Sequence, residues 1–91
     1  MDEIAFSQDR KTIRSVERCL EIVIEATVKL DEDTKQRLGL HPWQQLRGMG
    51  NRLRHGYDSV SLEVIWDVAS HKIPLLAADC RRVLTEMASE T

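Results

Sequence analysis

The chain has 91 residues, which is one domain spanning 1–91 and no more. A domain of this size buries only about 60–65% of its unfolded surface, so its stability margin is thin and pairing with a second copy would help. A net charge of −2 excludes nucleic-acid binding through bulk positive charge, so any anion site must be local.

No apolar run approaches the roughly 20 residues of a membrane helix, and no membrane partner is expected. The acidic start, Met1-Asp2-Glu3, does not read as a secretion signal, and the expected location is the cytoplasm. Cys19 and Cys80 are far apart and lie on or near apolar faces, so both are expected as buried reduced thiols. His41, His55 and His71 show no i,i+4 pairing, and neither a metal site nor a cofactor is expected.

The pattern predicts an all-α chain. The first helix is expected over 7–30, with Ser7 as N-cap and an apolar stripe at Ile13, Val16, Leu20, Val23, Ile24 and Leu30. Arg10, Arg14 and Arg18 recur on another face, among Glu17, Glu21 and Glu25, and read as a solvated paired face. Residues 31–39 are polar, fit a short helical turn, and end at Gly39. Pro42 suits the first turn of a second helix over 42–55, with Trp43, Leu46, Met49 and Leu53 facing inward. Gly48 and Gly50 each cost that helix about 1 kcal/mol against Ala, which points to a close approach by a neighbouring helix or a ligand.

Residues 56–60 break the pattern. Ser61 can cap a third helix facing inward with Leu62, Ile65, Trp66 and Ala69, and Pro74 is expected to open a separate fourth with Leu76, Cys80, Val83, Leu84 and Met87. Trp43 and Trp66 read as core, with stacking on a nucleic-acid base as the alternative. His41 reads as a loop residue or cap, and His71 as a cation at a helix C-terminus.

The stretch Arg47-Gly48-Met49-Gly50-Asn51-Arg52-Leu53-Arg54-His55-Gly56-Tyr57 holds three arginines, a histidine and a tyrosine but no carboxylate. Guanidinium forks fit phosphate oxygens, and imidazole exchanges protons near neutral pH. RNA carries its own nucleophile, the 2′-hydroxyl, so a general base and a charge clamp suffice to cleave it without a metal. The same residues also suit a plain helix C-terminus, where cations complement the dipole, and the pattern alone leaves both readings open. On a straight helix Arg47 stands about 80° from His55, Arg52 about 60° and Arg54 about 100°.

The run from Gly50 to Tyr57 resembles the core motif of HepT-like proteins, a branch of the HEPN ribonuclease toxins: an arginine, a polar residue, three others, a histidine, one more and a tyrosine. Trp43 ahead of it, Leu62-Glu63-Val64-Ile65-Trp66 and Ile73-Pro74-Leu75-Leu76 after it, and Leu20-Glu21-Ile22-Val23-Ile24-Glu25-Ala26 before it extend the likeness over roughly residues 8–85. The resemblance implies a small antiparallel helical bundle, paired about a two-fold axis with both motifs in one cleft, and metal-independent RNA cleavage. It implies the toxin half of a type VII-like toxin–antitoxin pair, whose partner is a cognate MntA-type nucleotidyltransferase that attaches AMP to the motif tyrosine. By position His55 is the proton-transfer residue, Asn51 the polar helper and Tyr57 the modification site.

This chain departs from the pattern twice. Gly50 stands where the motif arginine falls, leaving Arg47 or Arg52 to supply the charge, or leaving a degenerate dimer that binds a nucleotidyltransferase or a nucleotide without cutting. If the site is degenerate, Gly50→Arg is expected to restore activity. The helix that usually precedes the one starting near Ser7 is also missing, which would expose apolar surface or press it against a partner.

Overall fold

The computed structural model describes residues 1–55 and 60–90. Helices α1 (Glu3–Ser7), α2 (Arg10–Val28), α3 (Glu32–Leu38), α4 (Trp43–His55), α5 (Leu62–Asp67) and α6 (Ile73–Ser89) follow one another, and no strand occurs among the described residues. Carboxylates start the first three. Asp2, Asp9 and Asp31 accept bonds from the backbone N–H groups of Ala5, Thr12 and Thr34, filling donors that have no intrahelical partner. Asp9, not Ser7, therefore caps the long first helix. Ser7 instead closes α1, a short helix that the sequence pattern did not signal, and its hydroxyl donates to the Ile4 carbonyl at 2.7 Å. Gly39 ends α3 with a φ of 100°, a conformation that L side chains rarely adopt.

The predicted third and fourth helices are one. A π-helical turn, Val68–Lys72, joins α5 to α6 without leaving helical dihedrals, and the Ile73 N–H reaches back five residues to the Val68 carbonyl. Proline is the physical reason. Pro74 has no N–H for the Ser70 carbonyl and its ring would crowd that oxygen in a regular helix; a widened turn relieves both without a break. His71 thus sits in mid-helix, 3.3 Å from Asp67 Oδ1, rather than at a C-terminus.

The core holds Phe6, Leu20, Ile24, Leu38, Leu46, Met49, Leu53, Val60, Ile65, Val68, Leu76 and Val83. The most extensive packing is α2 against α4; α1 lies on α2 and α5, and α3 lies on α6. Phe6 from α1 packs on Trp66, ring centroids 5.3 Å apart. The cysteines differ from expectation: Cys19 is exposed because it faces outward from α2, and Cys80 is half-buried.

Polar bonds clasp α3 to α6. Arg82 donates to the Arg37 carbonyl at 2.9 Å and to Glu86 at 2.9 Å, while Arg37 lies 3.5 Å from Glu86 and 3.3 Å from Glu90. The buried His41 ring lies 2.7 Å from Asp79 Oδ2 and 3.3 Å from the Leu38 carbonyl through the same Nε2. Both neighbours are acceptors, so that nitrogen carries the hydrogen, and the expected capping role is extended by a tie to α6.

The hydrogen bond from Arg82 holds the Glu86 carboxyl below its ordinary value, with Arg37 adding to it. A depressed carboxylate stabilises the fold fully above its unfolded pKa, about 4.3, and loses that contribution as pH falls through the lower folded value. The melting temperature should therefore drop as pH is lowered below that range. In Glu86→Gln the drop should be shallower, starting from a lower value at neutral pH, as read by circular dichroism melts.

Candidate functional site

α4 carries no carboxylate and ends on Arg52, Arg54 and His55. Its inward face is Leu46, Met49, Gly50 and Leu53. Opposite it lie Gln44, Asn51 and His55, with Arg47 and Arg52 about 110° from it on either flank, all exposed. Four residues predicted for the site, His55, Asn51, Arg47 and Arg52, thus share one outward face. Arg54 flanks it. Tyr57 lies outside the described residues, as do Gly56, Asp58 and Ser59.

Among the described residues, no carboxylate lies within 4 Å of Arg47, Arg52, Arg54 or His55. The contrast with other basic residues is sharp: Arg18 reaches Glu21 at 3.6 Å, Lys35 reaches Glu32 at 3.9 Å, and Arg37 and Arg82 are shared among Asp79, Glu86 and Glu90. Those carboxylates are paired on other helices and α4 has none of its own, so its exposed side offers cations that a phosphate would meet.

Spacing along the helix divides the arginines. Arg52 and His55 are three residues apart, so their side chains are neighbours able to hold one phosphate. Arg47 and His55 are separated by about 12 Å of helix, too far for one phosphate within one chain. Gly48 lies between them on the outward face, and a Cβ built there meets nothing within 4 Å. The backbone is bare at that point and open to a close approach.

Gly50 is the opposite case. A Cβ there would stand 2.7 Å from Ile24 Cγ2 and 3.5 Å from Ile24 Cβ. The close α2–α4 crossing fits a glycine here, and a larger residue requires Ile24 or the helix it sits on to shift. Sequence reasoning left open which kind of neighbour the two glycines serve: Gly50 takes the neighbouring helix and Gly48 faces open space. It did not single out Gln44, which extends the exposed row, or Lys35, whose position depends on how α3 folds back. No group of three or more His, Cys, Asp or Glu side chains able to hold a metal occurs among the described residues. No helix there is long and apolar enough to cross a membrane.

A small all-α bundle with an unpaired cationic helix is the class of protein these features define. The chain belongs to the ribonuclease HepT-like family, whose profile matches residues 1–83. It is 35% identical over 77 residues to a protein of Thermococcus cleftensis named as a probable ribonuclease HepT, covering 81% of this chain and 70% of that one. A provisionally named RNase of Methanocaldococcus jannaschii is 29% identical over 85 residues, covering 93% of this chain and 70% of its own. Another, of Caldanaerobacter subterraneus subsp. tengcongensis, is 30% identical over 79 residues, covering 87% and 70%. No solved structure gives a significant match.

Gly50→Ala should destabilise the fold, because overpacking of about 1–3 kcal/mol exceeds the roughly 1 kcal/mol gained from helix propensity. Ile24→Ala costs stability of its own by leaving a cavity, but in its background Gly50→Ala should cost less, so the double variant should lose less than the sum of the two singles in urea unfolding. Gly50→Arg should unfold or loosen the bundle before any gain in activity appears.

Proposed function

We propose that this chain is a metal-independent endoribonuclease that works as a dimer across the outward face of α4. The observation that carries the reading is that face: Arg47, Asn51, Arg52 and His55 together, uncompensated by any described carboxylate, in a family of ribonucleases. His55 takes the proton from a 2′-hydroxyl, whose oxygen attacks the adjacent phosphorus. Arg52 holds the charge that develops on the phosphate oxygens, Asn51 donates a further hydrogen bond, and the bond to the 5′-oxygen breaks, that oxygen taking a proton from solvent water and leaving a 2′,3′-cyclic phosphate.

A two-fold axis crossing α4 near Asn51 would set Arg47 of one copy opposite His55 of the other, because the two residues stand four positions either side of it. The arginine absent at Gly50 would then be supplied by the second copy. The bare backbone at Gly48 suits a close helix–helix approach. The setting this implies is the cytoplasm, with the chain as the toxin of a type VII-like pair and a nucleotidyltransferase as its antitoxin, silencing it by AMP attachment to Tyr57.

A second reading has its own support. Gly50 stands where the motif arginine falls and packs against Ile24, which favours a dimer that binds its nucleotidyltransferase or a nucleotide without cutting.

The purified protein incubated with labelled RNA in EDTA should cleave it. His55→Ala should abolish cleavage with helical content intact, and Arg47→Ala should lower it by about 10²–10³-fold. Mixing those two variants should restore activity if the cleft is shared, since some mixed pairs keep one intact half. Silence of the wild type in a folded dimer would leave the non-catalytic reading. Co-expression with a cognate nucleotidyltransferase should add one adenylate to Tyr57, seen by intact mass and lost in Tyr57→Phe; an unmodified tyrosine would point to control by binding alone.

A further inference from the structure

The two tryptophans stand in different surroundings. Both are half-buried against the core, Trp66 beside Phe6 and Trp43 with the His41 ring 5.4 Å away, but Trp43 also forms part of the wall of an open groove of about 290 Å³, where the end of α2 and α3 meet the start of α4. Val28, Glu32, Lys35, Gln44 and Arg47 line the rest. Lys35 Nζ stands over the Trp43 ring, 5.8 Å from its centre, and 3.9 Å from the exposed Glu32 carboxylate, so a base stacking on that face displaces it or shares the ring with it. Arg47 has no described carboxylate in reach. The groove therefore combines an indole, an amide with both donor and acceptor, and a free guanidinium.

We propose that this groove is a stacking subsite for one base of single-stranded RNA, with the base on Trp43, Gln44 at its edge and Arg47 on its phosphate. Unpaired RNA bases are recognised in this way, by aromatic stacking and by hydrogen bonds to exposed edges. The volume is at the small end of ligand sites, enough for a base and too little for a helix of a protein partner. Within one chain Trp43 and His55 are separated by about 18 Å of helix, but Arg47, set opposite the second copy's His55 in the shared cleft, is only about 6 Å along the helix from Trp43, so the stacked base lies at or beside the nucleotide cleaved across the dimer. Arg47 serves both places and links them. The proposal rests on the RNA-cleaving reading and adds to it a point that selects unpaired strands, since a duplex offers no free base face.

Trp66→Phe leaves Trp43 as the sole indole. That protein is titrated with a 2′-O-methyl oligoribonucleotide of roughly ten nucleotides, which lacks the nucleophile and is not cut. Total binding is followed by anisotropy of a labelled copy, and subsite occupancy by Trp43 emission. Emission should be quenched in step with binding. Trp43→Leu and Val28→Glu, the second at the exposed rim, should each weaken binding by about ten-fold with unchanged helical content, while Trp43→Phe should keep most of it. If Trp43→Leu fails to fold, Val28→Glu decides. Binding by anisotropy with unaltered Trp43 emission and a normal Val28→Glu would overturn the subsite while sparing the ribonuclease reading. No binding at low salt would overturn both.

Discussion

The contact between Gly50 and Ile24 sets how closely α2 and α4 approach, and most of the remaining architecture follows from it. With no Cβ at Gly50, the Ile24 branch settles against the α4 backbone, and Leu46, Met49 and Leu53 close round it. Once that face is buried, the helical period leaves Arg47, Asn51, Arg52 and His55 no direction but outward. The same glycine that costs the helix propensity thus orients its charged face.

Charge is distributed with similar economy. Asp2, Asp9 and Asp31 cap helices, and Glu21, Glu32, Asp79, Glu86 and Glu90 hold basic side chains on α2, α3 and α6. In a chain of net charge −2, a positive region survives only where carboxylates are kept away, and α4 has none of its own. That local arrangement is what composition averages hide.

Much of this was legible in the sequence and some was not. The all-α class, the inward face of α4 and the grouping of Arg47, Asn51, Arg52 and His55 follow from a 3.6-residue period that the structure keeps. The family was legible too, from the ordered segments around residues 50–57, and its profile matches the chain. The N-cap of α2 was misplaced because Ser7 and Asp9 are both good caps and only packing of Phe6 selects between them. α5 and α6 were read as separate because Pro74 normally marks a break and the apolar spacing shifts there. The meaning of Gly50 was hidden for a different reason. A comparison of motifs registers a missing arginine, while the crossing that fits a glycine is visible only in three dimensions. Tyr57 falls outside the described residues, and its role stays with the proposal.

The π turn also governs phase. Val68 and Leu76 are eight positions apart, which in a regular helix would leave them about 80° out of line. Both are buried, on one side, because the wide turn absorbs the surplus rotation. Together α5, the turn and α6 make an unbroken rod of about 42 Å, close to the 47 Å long axis of the molecule. Losing a single residue between Val68 and Lys72 would hardly shorten that rod. It would let the wide turn become a regular one, leaving Val68 and Leu76 seven positions apart and within about 20° of two full turns, so Leu76 and the Arg82 bond to the Arg37 carbonyl would keep their phase, whereas an added residue would swing the distal half by roughly a quarter revolution.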